Sequence, residues 1–208
     1  MATVLLRRIL EQVRGLAGVH SASWSGDIPL SNRRLLLFVK DDRTAAENKC
    51  WIQVAADIVR PNYFETLGIP IERGRDFNDG DNESAMGAMI INESMARRFW
   101  PGENPVGKSM KVRGRARDTY RIVGVARNVR QRSLWEEQAP IVCLPLYQRF
   151  FPEMTLHVKT QGNPIGFLPA VMHEIRALDG ELPVYDAGPL CRDKWKRRSR
   201  PSGRLRPC

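Results

Sequence analysis

The sequence predicts an α+β fold. Helical periodicity is strongest near the two ends, alternation of apolar and polar residues dominates the middle, and the order of elements is not βαβ throughout. Residues 2–17 predict a helix, because Leu5, Ile9, Val13 and Leu16 recur at spacings of four, four and three, and Gly15 and Gly18 mark its end. Arg7, Arg8, Glu11 and Arg14 fall on its other faces. Val19 to Trp24 predicts a short strand stopped by Ser25, Gly26 and Asp27. Arg34 to Lys40 is a second apolar run, and the polar stretch from Asp41 to Lys49 reads as a loop.

Trp51 to Arg60 is the clearest strand: Ile52, Val54, Ala56 and Ile58 point one way, and Gln53, Ala55, Asp57 and Val59 the other. Pro61 ends it, Asn62 is placed to cap a brief helix through Leu67, and Gly68 closes that helix. Arg73 to Glu83 is rich in Gly, Asp and Asn and must turn. Met89 to Ile91 predicts a short buried strand. Asn92 then caps a helix in which Met95 and Phe99 share a face, and Pro101 and Gly102 terminate it. Met110 and Val112 alternate with Lys111 and Arg113, and Tyr120 to Val125 gives another strand. Ile141 to Leu146 is extended and interrupted by Pro145. Met154, Leu156 and Val158 alternate with Thr155, His157 and Lys159, which places His157 on a polar face. Pro164 opens an amphipathic helix striped by Leu168, Val171, Met172, Ile175 and Leu178, ended by Asp179 and Gly180. Leu182 to Tyr185 predicts a final strand.

The tally is two good helices, two short ones and seven or eight strands. The outer pieces, 1–60 and 147–190, predict one discontinuous α/β layer, and 61–146 an inserted β-rich subdomain. Residues 191–208 read as a basic, disordered tail. The whole chain has 208 residues, 33 basic and 23 acidic, for a net charge of +10. The tail holds eight basic side chains against Asp193 alone, so most of the charge excess belongs to it and the body is close to neutral. A basic face for nucleic acid is not indicated, and no specific nucleic-acid partner is expected. No apolar run approaches the ~20 residues of a membrane-spanning helix, and Arg7 and Arg8 stand where a secretory signal would be apolar.

The constellations that carry chemistry are sparse. Gly102-Glu-Asn-Pro-Val-Gly107-Lys108-Ser109 matches the phosphate-loop expression, but a helix precedes it, a strand-like stretch follows, and Pro105 removes an amide. A turn with a solvated Lys108 is the better reading. His20, His157 and His173 are dispersed, with no nucleophile tied to any of them by a motif. Asp76, Asp79 and Asp81 do not meet the calcium-loop pattern and read as a solvated acidic turn. Cys50, Cys143, Cys191 and Cys208 have neither metal-ligand spacing nor a disulfide framework. Trp24, Trp51, Trp100 and Trp135 are scattered, as packing residues are. No catalytic, cofactor-binding or metal-ligating residues are assigned. Function is therefore expected to lie in binding or mechanical coupling.

Four stretches together resemble a known family. They are VRPNYFETLGIPIERGRDFNDGD (Val59 to Asp81), AMIINESMARRFWPGENPVGKSMKV (Ala88 to Val112), YRIVGVARNVR (Tyr120 to Arg130) and EMTLHVKTQGNPIGFLPAVMHEIRALDGELPVYD (Glu153 to Asp186). They resemble the MacB-like periplasmic core domain of FtsX/MacB-type ABC transporter permeases, in particular the acidobacterial-type duplicated permeases. The resemblance covers most of residues 4–187. It implies a non-catalytic extracytoplasmic domain, with a porter-like α/β subdomain split around an inserted β-rich one. It implies location on the periplasmic side of the cell membrane. The implied partners are the transmembrane helices of a parent permease, a separate cytoplasmic ABC ATPase, periplasmic proteins and a second copy in a dimer. The implied role is to transmit conformational change during transmembrane export, with no cofactor. With no membrane helix beside it and a tail that departs from the family pattern, the chain reads as a permease fragment. The alternative is a binding module that uses the basic tail on nucleic acid or an anionic membrane.

Overall fold

The stripe of Leu5, Ile9, Val13 and Leu16 forms helix α1 (Ala2–Gly15) in the computed structural model, which describes residues 2–26, 35–40, 51–113, 119–128, 139–148 and 153–190. Ile9 and Val13 are fully buried, while Arg7 pairs with Glu11 across one turn on the solvent side. Gly18, at φ 85, turns the chain into strand β1 (Val19–Ser25), a left-handed conformation that a Cβ would strain. The central strands are β2 (Leu35–Lys40), β3 (Trp51–Val59), β4 (Ile71–Gly74), β5 (Ala88–Asn92), β6 (Ser109–Lys111), β7 (Thr119–Ala126) and β8 (Ile141–Pro145), with β9 (Thr155–Thr160) near the C-terminal end. Short helices α2 (Tyr63–Leu67) and α3 (Glu93–Phe99) interrupt them. A 3-10 turn over Pro164–Phe167 leads into α4 (Leu168–Leu178). The α+β expectation stands.

The strands form one mixed sheet in the order β4-β7-β5-β8-β3-β1-β9, with β2 beside β3 and β6 beside β7. β3 and β8 run parallel, as do β5 and β7, and the remaining pairs are antiparallel. The apolar side chains collect in three clusters. The first is built from the two ends of the described chain: Ile9, Leu10 and Val13 of α1, Ala22 and Trp24 of β1, and Val171 and Ile175 of α4. The other two belong to the middle, one around Met89, Ile91, Met95, Ile122 and Leu144, the other around Val59, Phe64, Phe77 and Ile90. Burying each such aliphatic side chain is worth about 1.5–3 kcal/mol.

Three local expectations need correction. Asn62 does not cap α2 with its side chain; it sits at φ 68, a region Asn tolerates, and its carbonyl accepts the Thr66 amide and hydroxyl at 2.9 and 2.6 Å. Ile71–Gly74, a stretch predicted only to turn from Arg73 onward, is a strand, because it finds β7 as a partner. Leu182 to Tyr185 is not a strand: Pro183 removes a donor, and Tyr185 points to solvent at 82 % exposure. Both faces of β3 are covered: every residue from Val54 to Arg60 is buried between β8 and β1 or β2. Gly68 closes α2 at φ 68, as expected. Asn92 caps α3 by accepting from Met95 N at 2.9 Å, and the same Oδ1 holds the start of β8 through Ile141 N at 3.0 Å. Residues 41–49 and the tail 191–208 lie outside the described residues.

Candidate functional site

Strand alternation gives β1 two different faces. Ala22 and Trp24 enter the cluster under α1 and α4. Ser21, Ser23 and Ser25 point the other way and are all buried, against α2 and the end of β3. Buried hydroxyls need partners, and these three have them. Ser21 Oγ donates to Thr66 Oγ1 at 2.9 Å. Ser23 Oγ lies 3.3 and 3.1 Å from the carbonyls of Arg60 and Pro61. Ser25 Oγ lies 2.8 Å from His157 Nε2. Backbone bonds close the same line: Arg60 N donates to Trp24 O at 3.0 Å and Gly26 N to Ile58 O at 2.7 Å. The result is a polar seam where β1 and β9 meet β3 and α2.

Arg60 stands at the end of this seam. It is 4 % exposed, its guanidinium lies over the Tyr147 ring at 4.6 Å, and Nη2 donates to the Tyr147 hydroxyl. Among the described residues its Nε and Nη1 have no hydrogen-bond partner. Burial lowers its pKa, as does the like charge of Arg14, which outweighs the help of Asp79. Arg14, in the last turn of α1, forks onto Ala22 O with Nε at 3.0 Å and Nη2 at 2.6 Å. Sequence reasoning missed Arg60 as a buried residue, because its partner Tyr147 lies 87 residues further along the chain.

The Ser25–His157 pair has the reach of a nucleophile and base, but Ser25 is fully buried, so a substrate carbonyl has no approach to its Oγ. His157 is itself buried, with its ring edge-on to Tyr63 at 5.8 Å, because α2 roofs the face that alternation marks as polar. His20 and His173 are exposed.

The phosphate-loop expression runs from just after α3 to the first residue of β6, and four of its amides are already committed. Glu103 N donates to Trp100 O at 3.1 Å, Val106 N to Asn104 Oδ1 at 3.1 Å, Gly107 N to Ile122 O at 2.8 Å and Lys108 N to Pro105 O at 3.0 Å. Lys108 Nζ pairs with Glu103. Such a loop has no row of free N–H groups to offer phosphate.

The acidic turn is less solvated than expected. Asp81 is buried and takes a two-pronged bond from Arg75, Nη1 to Oδ2 at 2.7 Å and Nη2 to Oδ1 at 2.8 Å, plus the Asn78 amide at 2.9 Å. Burial pushes the Asp81 carboxyl up, but the Arg75 and Asn78 hydrogen bonds with the Arg75 charge outweigh it and hold it below the usual carboxylate range. Asp76 is raised, chiefly by burial. Among the described residues no three His, Cys, Asp or Glu side chains are placed to hold a metal. Burial, with the charges of Asp57 and Asp76, pushes the Cys143 thiol well above its ordinary value. Cys50, Cys191, Cys208 and Trp135 lie outside the described residues. Trp24 is buried and donates to Leu6 O at 3.0 Å, and Trp100 packs on a core cluster.

The fold has solved counterparts. The periplasmic region of MacB from Actinobacillus actinomycetemcomitans superposes with a TM-score of 0.58 at 13 % identity, covering 83 % of this chain and 73 % of that one. The extracellular domain of YknZ, a noncanonic ABC-type transporter from Gram-positive bacteria, gives 0.53 at 17 % identity, covering 82 % and 79 %. No curated protein sequence matches. These likenesses define the class by fold: an α+β domain built like the MacB and YknZ domains. The chain belongs to the MacB-like periplasmic core domain family, whose model matches residues 7–177. Among the described residues no helix is long and apolar enough to cross a membrane.

Proposed function

We propose that this domain is a non-catalytic coupling body on the periplasmic side of an ABC transporter permease. It receives movement from the permease's transmembrane helices, driven by a separate cytoplasmic ATPase, and passes it to periplasmic partners or cargo during export. One observation carries the reading: α1 and α4, from opposite ends of the described chain, pack together on one apolar cluster with β1 and β9. Force applied at either end enters the same layer. The seam of Ser21, Ser23, Ser25 and Arg60 is the boundary across which that layer moves against the middle of the sheet. In this reading the driven layer is the part of 1–60 and 147–190 that holds α1, β1, β9 and α4, while β2 and β3 pack with the inserted 61–146. Hydrogen-bonded polar contacts suit such a boundary, because they re-form in a second register more readily than an interlocked apolar core does.

The test uses spin labels on an intact permease carrying this domain. One goes on exposed Glu65 beside the seam or Lys111 in the middle, the other on exposed Arg176 of α4. Adding ATP to the assembled transporter is expected to shift the distance distribution between α4 and Lys111. A distribution that stays the same through the ATPase cycle, in a transporter that exports, overturns the proposal.

A further inference from the structure

Arg60 carries a cost that nothing described in the fold recovers. Its guanidinium stays charged at any physiological pH, is 4 % exposed, and leaves Nε and Nη1 without an acceptor. A buried donor left unmade costs more than a hydrogen bond returns, and a buried charge without a partner costs more still. Tyr147 supplies a ring face and one hydroxyl, but no negative charge. The second cation, Arg14, is anchored to the same stretch of β1. Its side chain takes Ala22 O, and the Arg60 amide takes Trp24 O two residues on. The like charge of Arg14 acts on Arg60. Neither has an ion pair among the described residues. Asp79, whose charge favours both, is exposed and bonded to neither.

We propose that Arg60 and Arg14 form a receptor for a phosphate-type oxyanion, filled when the seam beside Tyr147 opens. The anion takes the two unused Arg60 donors, and Arg14 adds the second positive charge. This assignment goes beyond the coupling role and stands or falls separately, because it is read out on the isolated chain without ATP.

The test compares thermal unfolding of the full chain in inorganic phosphate and in chloride, at matched pH and ionic strength. At about ten times the Kd, phosphate is expected to raise the midpoint by about 3–6 °C. Arg60→Met and Arg14→Gln are each expected to remove most of that rise, and Asp79→Asn to enlarge it. Should Arg60→Met fail to fold, Arg14→Gln decides, since Arg14 is exposed. Vesicles of phosphatidylglycerol in phosphatidylcholine separate the sources. Arg14-dependent co-sedimentation indicates a lipid headgroup, and a midpoint rise without it indicates a free anion. No rise in the parent chain, or an equal rise in Arg14→Gln, overturns the proposal.

Discussion

Ser25 Oγ and His157 Nε2 lie 2.8 Å apart, although 132 residues separate them in the chain. The contact ties β1 to β9 on the face opposite α1 and α4, so it is part of the seam and not of the apolar cluster. Ser25→Ala removes a buried hydrogen bond to the His157 imidazole. It is expected to cost about 1–3 kcal/mol. Urea unfolding checks this: the midpoint should fall at unchanged slope. A change below about 0.3 kcal/mol would mean that the pair contributes no more than a surface contact.

The Arg75–Asp81 pair sets a pH dependence whose sign is fixed. The folded-state pKa of Asp81 is depressed, so its contribution is fully present above the unfolded value of about 3.9. It is lost as pH falls through the folded value. Asp76 works oppositely: its raised pKa makes stability fall as pH rises from the unfolded value through the folded one. Asp81→Asn should therefore flatten the acid limb of the stability profile, and Asp76→Asn should remove a loss on the neutral side. Unfolding midpoints between about pH 2.5 and pH 7 measure both. An acid limb unchanged in Asp81→Asn would show that Arg75 does not hold that carboxylate ionised.

Lys108→Ala addresses the phosphate-loop expression. Its ion pair with Glu103 is largely exposed, with side-chain exposures of 38 % and 61 %, so the change should cost less than about 1 kcal/mol. Titration calorimetry with magnesium ATP is expected to show no binding heat for either chain, since the loop's amides serve Trp100, Asn104, Ile122 and Pro105. Saturable binding that Lys108→Ala abolishes would reverse this reading of the loop.

Periodicity made α1, α4, β1, β3, β5 and β7 legible, and side-chain chemistry made the Asn92 cap legible. Each of these is decided by residues close in sequence. What was hidden depends on distant partners. Ile71–Gly74 has too few apolar positions to alternate and is a strand only through β7. Leu182 to Tyr185 has the apolar residues but pairs with no strand among the described residues. His157 sits on a face that local alternation marks as polar, and Asp57 on the second face of β3; both are buried because α2 or adjacent strands cover them. The seam was invisible for the same reason: Arg60, Tyr147, Ser25 and His157 carry no motif, and only the sheet order brings them together.

The packing of α1 on α4 gives the last prediction. Ile9 is fully buried among Val13, Trp24, Val171 and Ile175, so Ile9→Ala opens a cavity that two helices and two strands must accommodate. The expected cost is about 2–5 kcal/mol. Ile90→Ala, in the cluster around Val59 and Phe64, should cost a similar amount because Ile90 is equally buried. The two should differ in where they loosen the molecule. If the end-built layer opens as its own unit, Ile9→Ala speeds amide hydrogen exchange in α1, β1, β9 and α4 while β5 and β7 keep their protection. Ile90→Ala should do the reverse. Uniform acceleration across all strands in both variants would show that the sheet opens only as a whole, leaving the seam no independent movement to transmit.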